Sequence, residues 1–562
     1  MKKLIITVII AILSFSLWSE FVSIEKAKEV AINWLEFVAE EQSSKVEIVN
    51  EFAEVYNEKV CFYSFQAKEN GFVLVAADDN VYPVLGYSSV SKIKKKITNP
   101  AVKDFLDLYK QQIDAVISEN RNYPENRVLW NEILQKDFHS FPQSRDVSPL
   151  ISANWNQDYP WNLQCPYDAA GPGNHVYAGC VAVAMAQIMK YWEYPTEETG
   201  SHTYSHPNYG VLSATFGNYN FSLMQNNYAT NASEELLFHC GVAVEMDYGP
   251  EGSGASETDA KYAFENFFAF SNTIDLIYKN NYGQSEWEAM LREELDNGRP
   301  IFYTGSDSQF GHAFNCDGYQ GTSYFHFNWG WSGWYNGYYY LNNLNPSGYD
   351  LTSNQCAIIG IQPPVIPDSP QNLSAQLIGS DVLLLWEAPN GANDEILGYY
   401  IYRNNEQIYY AEGLASTSYF DMGLEEGTYY YYVTSFNGEM ESEPSNNASV
   451  TIGSEAEENV VSQNKTVILQ NSPNPFTSFT TISFYGNKNE SNSLSSTKSN
   501  LEIYNVKGEK IRTLPIVLNG NKGSVIWNGK NNNGKKVTSG IYFYKLADDD
   551  SKKLKKMILM RD

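Results

Sequence analysis

Between Ala178 and Trp192 the chain reads Ala-Gly-Cys-Val-Ala-Val-Ala-Met-Ala-Gln-Ile-Met-Lys-Tyr-Trp, a helical run that is apolar on most of its faces. Such a helix cannot lie against water and has to be wrapped by other elements. The Gly179-Cys180 step puts Cys180 at its N-terminus. There the helix dipole and the unpaired N–H groups favour a thiolate and lower the thiol pKa. A thiolate is the species that attacks a carbonyl carbon. The surroundings can supply the wrapping: 43% of the 562 residues are hydrophobic and 14% are aromatic, enough for real cores.

A thiol nucleophile needs a base. Seven histidines are available: His139, His175, His202, His206, His239, His312 and His326. His312 stands in Phe310-Gly311-His312-Ala313-Phe314, at the opening of a β-like run and beside a residue small enough to admit a substrate. Asn328-Trp329-Gly330-Trp331 follows. An Asn oxygen can hold an imidazole in the useful tautomer, and an indole over that contact keeps water away. A nucleophile, a distant His and then an Asn-Trp pair is the chain order of papain-like enzymes. An oxyanion formed at Cys180 needs fixed donors. The Cys180 N–H is one, and the Gln157 amide, in Trp155-Asn156-Gln157-Asp158, is the candidate second.

The remaining Cys and His have plainer readings. His326 alternates with Asn328 in an aromatic strand and reads as packing. His175, five residues before Cys180, could line the site but is too near in sequence to be the base. Cys61, Cys165, Cys240, Cys316 and Cys356 read as structural thiols, with a disulfide among the last four open in an exported protein. There is no HExxH, paired CxxC or EF-hand loop, so no metal and no cofactor are expected. A paired-carboxylate glycosidase is not excluded by spacing.

Organisation along the chain separates six stretches. Residues 1–19 carry Lys2-Lys3 and then an uncharged apolar run from Leu4 to Leu17. That run is too short for a membrane span and reads as a signal peptide. No later stretch is apolar enough to span, so an exported protein at the cell surface or outside it is expected. Residues 20–146 read as an α+β unit, with a helix from Ser23 onward and strands at Val60–Phe65, Gly71–Ala77 and Val84–Tyr87. Residues 147–363 hold five of the six Cys and six of the seven His. Residues 366–452 are all-β, with Val382–Trp386, Tyr399–Arg403 and Tyr429–Thr434 as strands. Residues 453–466 are an acidic linker. Residues 467–562 form a second β module that contains neither Cys nor His. The net charge of −27 argues against nucleic acid as a partner.

Residues from about 147 to 363 resemble streptopain and its relatives, the papain-like C10 cysteine peptidases. Five motifs in order carry the resemblance: Asn156-Gln157 with Pro160-Trp161-Asn162-Leu163, Gly179-Cys180 through Tyr191, Met246-Asp247-Tyr248-Gly249-Pro250, Gly311-His312-Ala313-Phe314, and Asn328-Trp329-Gly330-Trp331. The resemblance implies Cys180 as nucleophile, His312 as base, Gln157 at the oxyanion, and Trp329 and Trp331 lining the site, with protein or peptide substrates. Residues 20–146, through Gly71-Phe72-Val73-Leu74-Val75-Ala76-Ala77-Asp78-Asp79, look like that family's inhibitory propeptide. Residues 366–452 look like a fibronectin type III module. The last module resembles C-terminal sorting domains and FlgD-like immunoglobulin modules, which implies a secretion machinery as partner. The expected fold is therefore multidomain: an α+β propeptide, an α+β papain-like domain and two immunoglobulin-like sandwiches. Two rivals remain: a surface-displayed peptide- or glycan-binding protein with an inactive peptidase-like domain, which intact Cys180 and His312 argue against, and a glycan-active enzyme.

Overall fold

The computed structural model describes residues 20–39, 45–69, 71–141, 147–306, 311–342, 344, 355–378, 381–390, 396–453, 467–472, 474, 476–485, 500–516, 522–547 and 554–560. The expected signal peptide, the joint at 142–146, most of the 453–466 linker and the Ser/Asn-rich stretch 486–499 lie outside them. The chain divides into two compact units, Met1–Pro364 and Val365–Asp562.

In the first unit α1 (Ile24–Val38) starts at a Ser23 cap that accepts the Lys26 N–H, and its periodic residues Ala27, Val30, Ala31, Trp34 and Leu35 are buried. Four strands follow as an antiparallel meander: β1 (Ile48–Tyr56), β2 (Lys59–Ala67), β3 (Phe72–Ala76) and β4 (Val84–Ser88). The β1–β2 turn is made by Asn57 and Glu58, both with positive φ, as a tight hairpin between right-twisted strands requires. Next come α2 (Pro100–Ser118), capped by Asn99, and α3 (Pro124–Gln135).

The chain then builds α4 (Cys180–Trp192), the hairpin β5 (Gly200–His206) and β6 (Gly210–Phe216), α5 (Asn231–Ala243), α6 (Glu257–Asn266), β7 (Asp275–Tyr278) and α7 (Gln284–Asp296). It ends with β8 (Ile301–Ser306), β9 (Gly311–Gln320), β10 (Tyr324–Asn328), β11 (Gly337–Tyr340) and β12 (Gln355–Ile359).

The two segments expected as separate domains join in one sheet of ten strands, ordered β1-β2-β3-β4-β11-β10-β9-β8-β12-β7. The seam is the antiparallel β4–β11 pair, with Tyr87 opposite Tyr338 and Gly86 opposite Tyr339. A Cβ on Gly86 would stand 2.8 Å from the Tyr339 ring, so glycine lets that ring lie flat on the seam. The Tyr87 hydroxyl bonds the Gln320 side chain across it. The core is equally shared: Trp34 packs edge-on to Tyr87 at 5.4 Å and lies 6.0 Å from Tyr324.

In the second unit a three-stranded sheet (Gln371–Ile378, Asp381–Glu387, Ser418–Asp421) faces a four-stranded one (Glu406–Glu412, Gly398–Arg403, Gly427–Phe436, Ala448–Ile452). Their common core includes Leu384 and Trp386 from one sheet and Tyr399, Ile401, Tyr431 and Val433 from the other. A second sandwich of the same kind follows, with Trp527, Ile503, Tyr544 and Met557 at its centre. The strands read from alternation fall within these elements.

Candidate active site

Gly179 caps α4 with φ +93° and ψ 142°. A Cβ there would come within 2.7 Å of the Met246 thioether, so both the turn and the packing call for glycine. Cys180 follows as the first helical residue, and Val181 through Met189 are all buried, as the apolar run requires. The helix packs on β9, and the Ala313 N–H donates to Cys180 Sγ at 3.5 Å. His312 is the preceding residue on that strand. The fold thus sets the start of α4 against the strand that carries His312, two stretches far apart in sequence.

Gln157 is fastened next to them. Its carbonyl accepts the Ala178 N–H at 2.9 Å, two residues before Cys180. Its own N–H donates to Asn156 Oδ1, and the Asn156 amide donates to Ser332 Oγ. The Gln157 side chain is half-buried.

Trp329 is buried on the other side, 4.5 Å from the Phe314 ring, with its indole N–H donated to the Tyr335 carbonyl. Trp331 is half-buried in the turn that follows. Asn328 is used differently from expectation. Its amide donates to the Ala153 carbonyl at 2.9 Å, and its oxygen accepts from Gln187 Nε2 and the Gly330 N–H. Gln187 also donates to Ala153 and accepts from Asn315. These buried amides tie α4, β9, β10 and the chain leading to Gln157 together, and Asn328 spends its side chain there rather than on the imidazole.

The imidazole instead meets a carboxylate that sequence reasoning passed over. His312 Nε2 lies 3.2 Å from Asp104 Oδ2 on α2. The next residue, Phe105, sets its ring edge-on to Trp329 at 5.5 Å and to Tyr339 at 5.4 Å. One helical step of the N-terminal segment therefore meets both His312 and Trp329. Asp104 sits in an ordinary amphipathic helix, and only its place in three dimensions marks it out.

The expected low thiol pKa at Cys180 is not what this state holds. Burial raises it above the ordinary thiol value, and the N–H groups of Ala313, Val181 and Cys180 itself offset only part of that. The reason is that desolvation penalises a thiolate more than the helix start favours it. All six cysteines are free. Burial pushes Cys61 to about 11, and Cys165 and Cys356 to about 12, consistent with inert packing. His326 is buried against Asp317 at 2.6 Å, and the His175 ring N–H bonds the Cys165 carbonyl. Burial lowers His239 to about 4. Among the described residues no cluster of His, Cys, Asp or Glu could hold a metal ion, and no helix is long and apolar enough to cross a membrane.

Comparison with known proteins adds three family matches: the peptidase C10 family over residues 155–339, the Spi protease inhibitor over 19–113, and the secretion system C-terminal sorting domain over 472–560. The thiol protease/hemagglutinin PrtT of Porphyromonas gingivalis is 29% identical over 65% of this chain, which spans only 43% of that protein. Streptopain of Streptococcus pyogenes is 29% identical over 54% of this chain and 80% of its own length. A solved fragment of Prevotella intermedia prointerpain A is 30% identical, covering 57% of this chain and 100% of that one, with a TM-score of 0.47.

Proposed function

We propose that this chain, which belongs to the peptidase C10 family, is a cysteine endopeptidase exported as a latent zymogen. The observation that carries the reading is the pair of neighbours around His312: Cys180 Sγ on the adjoining Ala313 N–H, and Asp104 on its own ring. While Asp104 and Phe105 cover the site, the thiol stays neutral and the base is engaged. Cleavage in the 141–147 joint and departure of α2 free the imidazole. His312 then takes the Cys180 proton, and the thiolate attacks the scissile carbonyl. The Gln157 amide and the Cys180 N–H hold the oxyanion. His312 returns the proton to the leaving amine, and water, deprotonated by the same imidazole, releases the acyl group from sulfur.

The segment after the cut is already held by the enzyme. Val147 pairs with Tyr319, and the Leu150 and Ile151 N–H groups donate to the Asp317 carbonyl and carboxylate. In this reading residues 147–363 form the mature peptidase, 366–452 a fibronectin type III module, and 467–562 an immunoglobulin-like sandwich read by a secretion machinery. Signal-peptide export delivers the chain to that machinery, and release or display outside the cell follows. Casein zymography of wild type beside Cys180→Ala, with and without a thiol-blocking reagent, tests this. A clearing band that survives either treatment would sink the thiol mechanism.

A further inference from the structure

The N-terminal segment touches the peptidase a second time, away from His312. Residues Lys92 to Lys94 run along Tyr335. The Tyr335 N–H donates to the Lys92 carbonyl at 3.0 Å, while its hydroxyl donates to the Lys94 carbonyl at 2.5 Å and accepts the Lys94 N–H at 2.9 Å. Side chains alternate along an extended segment. Ile93 is buried in the hydrophobic core, and the two lysines face the peptidase. Lys92 lines a cavity of about 570 Å³ whose other walls include Ile151, Asn154, His326, Ser332 and Trp334. Lys94 Nζ stands 3.9 Å above the Trp334 ring. Burial raises the Asp158 carboxyl above its ordinary value, and its own backbone N–H and, to a smaller extent, the Lys94 charge offset part of that.

This corner belongs to the same stretch of chain as the catalytic groups. Asn154 is three residues before Gln157, at most about 10 Å of extended backbone. The Ser332 N–H bonds the Trp155 carbonyl at 2.9 Å. A substrate lying across Cys180 advances about 3.3 Å per residue, so a side chain in this corner would belong to a residue within about four of the cleaved bond.

We propose that the Trp334 ring forms a subsite for a lysine or arginine side chain of the substrate, filled by Lys94 while the chain is latent. The indole face attracts a cation, the Asp158 charge adds to that attraction, and removal of the N-terminal segment takes Lys94 off the ring. The proposal rests on the peptidase reading above.

The test uses the mature enzyme and quenched fluorescent peptides that share one cleavable core. Lys, norleucine or Glu is placed in turn at each of the four positions on either side. Lys should exceed norleucine in kcat/KM at one position by about threefold to tenfold, the scale of a surface cation–π contact reinforced by one charge, and Glu should be worst there. Trp334→Leu and, separately, Asp158→Asn should bring the Lys/norleucine ratio towards one. If Trp334→Leu does not fold, Asp158→Asn carries the test. A ratio near one at every position in wild type, or a ratio unchanged in the folded variants, overturns the subsite while the peptidase reading stands. Failure to cleave any peptide overturns both.

Discussion

At His312 the Asp104 carboxylate stands 3.2 Å from the imidazole, while the Cys180 thiol accepts the N–H of the neighbouring Ala313. Partly exposed ion pairs of this kind are worth about 0.2–1 kcal/mol, so Asp104→Ala should speed maturation by no more than about fivefold. The time for half the zymogen to reach mature length measures this, and an unchanged half-time would remove Asp104 from the latency device. The neighbouring thiol gives an independent reading. Because burial raises the Cys180 pKa above the ordinary thiol value in this structure, its thiolate forms at higher pH than that of an ordinary thiol. Short pulses of iodoacetamide should therefore label zymogen Cys180 with a pH profile displaced to higher pH than that of the mature form. Coincident pH profiles would contradict the covering role of α2. For Gln157, an oxyanion donor predicts a loss in kcat of about 10²–10³ with KM little changed in Gln157→Ala, read from steady-state kinetics on one peptide. Cys180, His312 and Gln157 stood out in the sequence because motif and chemistry coincide in each. Asp104 was not, since a carboxylate on an amphipathic helix looks the same whether it meets water or a catalytic histidine.

Helices and strands were readable wherever their period was set by local burial. The apolar run became α4 within two residues of its expected start, and the strands at 60–65, 71–77 and 84–87 became β2, β3 and β4. What β4 pairs with was not readable, because a strand's partner is fixed by contacts far away in sequence. Tyr87 meets Tyr338 across a gap of 251 residues. That seam makes the N-terminal segment an extension of the enzyme's own sheet. Gly86→Val would drive a branched side chain into the Tyr339 ring, a kind of overpacking that costs about 1–3 kcal/mol. The isolated segment 20–141 carrying Gly86→Val should then inhibit the mature enzyme about 5- to 150-fold less tightly than wild type, with far-UV circular dichroism as the check on its own fold. Equal inhibition constants would show that the seam contributes nothing to docking.

At the scale of the whole chain, the candidate catalytic residues and the sorting-domain match lie in different units. Cys180, His312 and Gln157 all lie before Pro364, and the last module holds neither Cys nor His. A stop after Gln463, expressed in the native host, should leave peptidase activity in the cell lysate and reduce activity outside the cell or on its surface to a tenth or less. Full-length levels outside would reduce the last module to a spacer. The sequence by itself singled out Cys180, His312 and Gln157 as candidates, marked segments as strands or helices, and showed that the chain after Pro364 is rich in strands, because each follows from residue type and short-range period. Only the tertiary structure decided that the inhibitor and the enzyme share one sheet and one aromatic core. It alone placed Asp104 on His312 and Phe105 on Trp329, moved Asn328 into a buried amide network, and raised the Cys180 thiol pKa by burial. Each of these depends on distance between residues remote in sequence and on the water their packing excludes, and neither quantity is written in a one-dimensional pattern.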